Sequence, residues 1–263
     1  MTAQTSTSLL GQLAAGLADQ SIQIYDLTNK LSESTPTLRL PEPFANLVDF
    51  SLENVAQFDD AGPFWAHNNF TQGEHVGTHI DAPIHWISGK DGKDVASIEP
   101  ERLIGPAVVL DFTAEATENP DFLVEVEHIK AWEAQHGPIP ENGWLLFRTG
   151  WDQYAQDQEA CLNVDENGSH PPGFSAECAR WLAEDTNISG IGVETVGIDQ
   201  GNAAELDPPF PIHYHLLGND KYGITSLQNL AQLPTRGAVI VISPLPIVNG
   251  TASPCRVFAL VEG

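Results

Sequence analysis

Apolar residues repeat along the chain with two different periods. In residues 8–19, Leu9, Leu10, Leu13 and Leu17 recur at helical spacing and predict an amphipathic helix. Ile22 to Thr28 alternates Ile22, Ile24 and Asp26 and reads as a short strand. Ile104 to Phe112 is an apolar run that predicts a buried strand, and Trp144 to Thr149 predicts another. Ile188 to Thr195, Ala238 to Ser243 and Arg256 to Val261 complete the strand set. Between these runs, Val126, Ile129 and Trp132 give a helical face to residues 125–136, which Gly137-Pro138 ends. Ser175 can cap a further helix that turns Cys178, Trp181 and Leu182 inward, with Glu177 near its positive end. Strands and helices interleave without an internal repeat. The pattern predicts one α/β domain over residues 1–263, a mixed sheet with flanking helices.

One stretch has no period. Residues 29–63 are irregular and rich in Pro and Ser, as substrate-covering segments often are. Its Phe44 and Leu47, with Phe64 and Trp65 just beyond, suit a pocket wall or a core equally well.

Composition narrows the function. Of 263 residues 41% are hydrophobic, enough for a sizeable core, yet no apolar run is long enough to span a bilayer. Met1 to Ser6 carries no positive charge ahead of Leu9, so no secretory signal is expected. The net charge is −25, from 36 acidic and 11 basic residues, and such a surface repels nucleic acid. Cys161, Cys178 and Cys255 are odd in number and form no CxxC pair, which suits free thiols in a reducing cytoplasm and offers no structural zinc site. There is no G-x-S-x-G elbow and no Walker loop, and Gly190 and Gly192 lack a third glycine at dinucleotide-binding spacing.

The strongest chemical signal is His75-x3-His79-x-Asp81-x3-His85, three of the nine histidines and a carboxylate within eleven positions. Neutral imidazoles with one anionic oxygen are a preferred donor set for a divalent transition metal. All four positions are odd, so an extended chain points them to one face. A straight strand would nevertheless hold His75 and His79 roughly 13 Å apart at about 3.3 Å per residue. The chain must bend between them, and Gly77 permits it. A helix with the two histidines at i and i+4 is opposed by Gly77, the β-branched Thr78 and Ile80, and Pro83. A kinked strand or loop is the better reading.

Read as H-x-G-T-H-x-D-x-P-x-H from His75 through His85, the segment resembles the hallmark of the cyclase-like metal-dependent hydrolases, a family that includes the bacterial kynurenine formamidases. Tyr25 to Thr28, Gly105 to Val109, Leu146 to Trp151, Gly192 to Asp199, His213 with Leu216 and Leu217, Gln228 to Leu230, and Gly250 to Pro254 match it as well, covering nearly the whole chain. The resemblance implies a swivelling β/β/α domain, usually a homodimer or higher homo-oligomer. His85 to Asp91, Glu194 to Gly197 and Lys221 to Gly223 are similar to the branch that opens a cyclic aromatic amide. The implied reaction is attack of a metal-activated water on a ring amide carbonyl. Hydrolysis of a formyl amide, as in the kynurenine formamidases, is the alternative.

On this resemblance His75, His79 and Asp81 are metal ligands. His85, beyond the Pro83 turn, is a general base, or else a fourth ligand. His213 resembles the family's distal histidine and would hydrogen-bond substrate or water, with His215 a weaker candidate for that task. Where the formamidase branch carries a glutamate that helps to hold two zinc ions, this chain has the neutral Gln228, read as a ligand. Losing that charge favours a single divalent ion, and manganese suits an oxygen-rich octahedral site better than zinc. A small aromatic amide needs flat apolar walls, which Trp86, Phe44, Phe64 and Trp65 could supply. His67, His128, His136 and His170 belong to no such constellation and read as surface or structural.

Overall fold

The strand runs fold as the period-2 pattern requires. In a computed structural model, which describes residues 8–40 and 42–263, eight strands form one mixed sheet. The Met1 to Ser6 segment read above lies outside the described residues. In chain order the strands of three or more residues are β1 (Ile22–Asp26), β2 (Ser51–Gln57), β3 (Ala66–Thr71), β4 (His79–Asp81), β5 (Ile104–Asp111), β6 (Trp144–Arg148), β7 (Gly190–Val193), β8 (Tyr222–Thr225), β9 (Ala238–Pro244) and β10 (Ala252–Glu262). The sheet order is β1-β10-β9-β5-β6-β7-β8-β4, and β4 also pairs with the start of β10. That last pairing closes seven strands into a barrel, with β1 added along the far half of β10. The strands β5, β6, β7 and β8 run parallel to one another, and the remaining pairs are antiparallel.

Alternation sorts each central strand between two cores. Ala107, Val109, Trp144 and Leu146 join Ile80, Ile224, Ile240 and Val257 in one cluster. Their neighbours Val108, Leu110, Leu145 and Phe147 face the other cluster, where two helices cover the sheet. The helix Val126–His136 contributes Val126, Ile129 and Trp132, and the helix Ala176–Glu184 contributes Cys178 and Leu182. Ser175 Oγ accepts from Cys178 N, as its position predicts. A buried lysine ends the second helix. Lys221 Nζ donates to the carbonyls of Leu182, Ala183 and Thr186 at 2.6–2.8 Å, satisfying acceptors that the helix itself leaves open. It thereby ties the helix to the root of β8.

Three features depart from the sequence pattern. The helix Leu9–Asp19 forms, but Leu9 and Leu10 are 83% and 77% exposed, so its leucine stripe faces away from the core. Residues 29–63 are not wholly irregular, because β2 lies inside them and pairs with β3 in a separate two-stranded ribbon. Ala56 is the one buried residue of that ribbon's two strands. The last strand begins at Ala252, four residues before the apolar run that announced it, and those extra residues make the pairing with β4.

Candidate active site

The barrel is closed by the strand that carries the histidine motif. β4 is only three residues long, with Asp81 opposite Gly223 of β8 and Ala252 of β10, and all three of its residues are buried. Gly77 takes a left-handed φ of +69°, folding the preceding segment back so that His75 and His79 approach to 5.1 Å between ring centroids. A Cβ at Gly77 would lie 2.6 Å from Leu31 Cδ2, the tip of an exposed side chain that would have to move aside, so it is the positive φ that demands glycine. Beyond β4, Pro83–His85 forms a single 3-10 turn that brings the His85 ring to 4.0 Å from that of His75. A bend on each side of a three-residue strand gathers three imidazoles that a straight strand would spread out.

Hydrogen bonding fixes which atoms face inward. His79 Nδ1 lies 2.8 Å from the carbonyl of Gly77, which can only accept, so the proton sits on Nδ1 and the Nε2 lone pair is bare. His75 Nε2 lies 3.0 Å from Thr251 Oγ1, which leaves Nδ1 to face Asp81. Asp81 Oδ1 stands 2.9 Å from His75 Nδ1 and 3.4 Å from His79 Nε2. Atoms bound to one ion at about 2.0–2.2 Å stand roughly 3–3.4 Å apart. Three acceptors converging at such distances repel one another unless a positive charge sits between them. Burial opposes ionisation of Asp81; positive charge or donated protons from His79 and His75 outweigh it and hold its carboxyl well below the usual range, and where the two rings present lone pairs instead a cation must take over that role. The donor set therefore fits a divalent cation.

Two further histidines flank the cluster. His213 opens a π-helical turn, His213–Leu217, a geometry common at functional sites. Its Nδ1 lies 2.6 Å from Asp199 Oδ2, while the backbone N–H groups of Ile212 and His213 donate to the same carboxylate. Nε2 is thereby turned toward Asp81 Oδ2, 3.9 Å away. Burial disfavours the charged ring, but the Asp199 contact outweighs it and raises the His213 pKa. His85 has no such partner. Burial drives its pKa down to about 3, neighbouring imidazoles reinforce the effect and Asp81 opposes it, so the ring is neutral near pH 7. Its nitrogens make no protein hydrogen bond among the described residues.

Above the cluster lies a cavity of about 360 Å³, walled by His75, His85, His213, Val196 and Gly197 and roofed by Leu38, Leu40 and Leu47 of the segment without a period. Larger hollows of about 510 and 670 Å³ lie elsewhere, but neither collects imidazoles. The aromatic residues read as pocket walls are distributed differently. Trp86 packs on His213 at 4.6 Å and against Phe210 at 5.3 Å, a support for the histidine rather than a wall of the cavity. Phe44, at 62% exposure, is next to the lining residues Ala45 and Asn46 but is not itself in the lining. Phe64 and Trp65 sit in the connection between β2 and β3, 84% and 47% exposed, and are not in the lining. Gln228 is not brought to the lining either. Its Nε2 donates to the carbonyl of Leu227, and Thr225 Oγ1 is the side chain beside His79, 3.0 Å from Nδ1. His215 faces Glu184 at 3.9 Å, on the helix side. Asp199 and Thr251 lie inside segments that match the family and Glu74 directly before one, yet no role for them or for Thr225 is legible in the sequence, and only the fold makes them neighbours of the motif.

One carboxylate anchors the loop that lines the cavity. Glu194 follows β7, two residues before Val196, and its Oε2 accepts from the N–H groups of Thr149, Gly150 and Trp151 at 2.6–3.1 Å. Burial pushes its carboxyl up to about 7 from an ordinary 4.5, against the pull of those donors. The folded state then holds a proton that the unfolded chain releases between about pH 4.5 and 7, so this group's stabilisation is lost as pH rises through that window. Glu194→Gln should abolish this one contribution. Urea unfolding of both proteins at pH 5 and pH 8 should show wild type losing on the order of 2–3 kcal/mol relative to the variant. Parallel pH profiles would contradict it.

The barrel and its gathered imidazoles define a recognisable class. Residues 25–200 match the putative cyclase family, and the chain belongs to that family. An isatin hydrolase from Roseibium aggregatum is 42% identical over 264 residues, covering 99% of each chain. A kynurenine formamidase from Erythrobacter litoralis is 27% identical, over 89% of this chain and 92% of its own. Among solved structures, isatin hydrolase A from Ralstonia solanacearum superimposes with a TM-score of 0.95 at 46% identity, covering 98% of this chain and 99% of its own. An isatin hydrolase bound to the product analogue thioisatinate also gives 0.95, at 41% identity over the full length of both chains. The mixed sheet with flanking helices expected from the sequence is the architecture these structures share.

Proposed function

We propose that this protein is a metal-dependent isatin hydrolase, opening the five-membered ring amide to give isatinate. The observation that carries the proposal is the convergence of His75 Nδ1, His79 Nε2 and Asp81 Oδ1 beneath a cavity sized for a small flat bicycle. The isatin hydrolase relatives, more similar than the formamidase, support the choice of substrate.

A divalent ion held by those three residues supplies a Lewis acid beside the amide carbonyl and acidifies water. With a single carboxylate in the cluster, one ion is proposed, and manganese suits mixed nitrogen and oxygen ligands with positions left for water. The protein's own groups do the rest. His85, neutral and with no competing hydrogen bond among the described residues, would accept the proton from water and return it to the departing ring nitrogen; a basicity depressed by burial suits it only to a water whose own acidity an ion has raised. His213, oriented by Asp199 and backed by Trp86, aims Nε2 at the cavity and hydrogen-bonds the substrate. Leu38, Leu40 and Leu47 cover the flat ring and exclude bulk water.

Three attributes belong to the same proposal. The exposed ribbon, with Leu52, Phe58 and Phe70 more than half exposed, and the outward leucines of the first helix support a homodimer or higher homo-oligomer. Three buried free thiols support a cytoplasmic setting. The acidic surface supports a small molecule, and not nucleic acid, as partner; no described helix is long and apolar enough to cross a membrane. The test is direct. Protein loaded with Mn²⁺ should bleach isatin absorbance, EDTA should stop it, and N-formylkynurenine should be hydrolysed more slowly. Absence of isatin turnover with metal restored refutes the proposal, and two ions per chain with faster formamide cleavage would point to the formamidase branch.

A further inference from the structure

We infer that Glu74 and Thr251 are positioning residues that set the tautomer of His75, so that a lone pair and not an N–H faces Asp81. The inference rests on the metal-dependent reading above and deepens it.

Thr251 N and Thr251 Oγ1 both donate to Glu74 Oε2, at 3.0 and 2.7 Å. An ionised carboxylate only accepts, so the single hydroxyl proton of Thr251 is committed to Glu74. The same hydroxyl lies 3.0 Å from His75 Nε2 and, with its proton used, can only accept there. The imidazole proton is thereby placed on Nε2. Nδ1, 2.9 Å from Asp81 Oδ1, is left as the lone pair that completes the cluster.

The relay is mounted on rigid parts. Thr251 immediately precedes β10, whose Ala252 pairs with Asp81, and the Thr251 carbonyl accepts from Ala82 N at 2.9 Å. Glu74 is joined directly to His75. Each end of the chain carboxylate, hydroxyl, imidazole is therefore tied to the motif it orients. The contrast with His79 is informative. That ring takes its tautomer from the Gly77 carbonyl, a backbone group that no substitution removes, whereas His75 depends on two replaceable side chains. Outer partners of this kind commonly change metal affinity by about 10–100-fold.

The experiment uses full-length protein stripped of metal and titrated calorimetrically with Mn²⁺, alongside long-range ¹⁵N–¹H spectra of the His75 ring in the metal-free state. Wild type should show the proton on His75 Nε2. Thr251→Val should mix the tautomers and weaken Mn²⁺ binding by about 10–100-fold. Thr251→Ser, which keeps the hydroxyl, should restore both readings, and Glu74→Ala, which removes the acceptor that holds the hydroxyl proton, should move them in the direction of Thr251→Val. Wild-type affinity and an unchanged His75 spectrum in Thr251→Val would overturn the inference, as would a His75 proton on Nδ1 in wild type. If Thr251→Val does not fold, Glu74→Ala decides the matter by the same two readings. Wild type that takes up neither Mn²⁺ nor Zn²⁺ while showing the Nε2 proton would refute the metal-dependent reading and leave the relay standing.

Discussion

Asp81→Asn is expected to remove the bound ion and to lower kcat/KM for isatin by more than ~100-fold. Asparagine keeps the volume and one carbonyl oxygen, so the pairing of residue 81 with Gly223 and Ala252 is preserved. The negative charge is lost. Asp81 is 1% exposed and supplies the one carboxylate on which both His75 and His79 converge, so no water or neighbouring acid can replace it. Without it, a divalent cation in the cluster would face neutral donors in a dehydrated setting, where an uncompensated charge is costly. Elemental analysis of protein as purified, with Mn²⁺ titration of the stripped form, measures the first effect, and isatin absorbance measures the second. Stoichiometric metal with full turnover in Asp81→Asn would show that the ion sits elsewhere.

His85→Ala separates chemistry from binding. The variant should retain metal, because His85 lies outside the set of mutually close donor atoms, and should lose about 10²–10⁴-fold in kcat, the usual contribution of a general base. KM should change much less, since the cavity roof and His213 are untouched. Small imidazole added to the variant should restore part of the rate by filling the space beside His75. A fall in metal content that tracks the fall in rate would instead make His85 a ligand. Full activity would dismiss both roles.

The sequence carried the central strands and the two covering helices clearly, because their apolar runs are buried on both faces or recur at helical spacing. It carried the motif equally well, down to the need for a bend at Gly77, since extended geometry alone forbids His75 and His79 from sharing an ion. Other parts were less legible for physical reasons. Tyr222–Thr225 has no pattern of its own and becomes a strand by lying between β7 and β4. The ribbon is nearly all exposed, so burial leaves no alternation to read. Phe64 and Trp65 have the composition of a pocket wall, but only the ribbon's direction decides where they point. The neutral Gln228 illustrates a different limit. Position in a matched segment suggests coordination, while the side chain turns to the nearest backbone acceptor. The parts that Glu74, Asp199 and Thr251 play are set by hydrogen bonds between segments distant in the chain, so only the fold shows them.

The shortest strand of the barrel has the largest mechanical duty. Three residues stitch the hoop shut on both sides, and two of them are the innermost donors. Pro254, opposite His79, has no N–H to give, which leaves the seam thin on that side. An ion present at a hundredfold over its dissociation constant would add about 2.7 kcal/mol to the closed ring and nothing to an opened one. Chelation would then do more than silence the enzyme: it would unfasten the clasp, and the hoop should part there first.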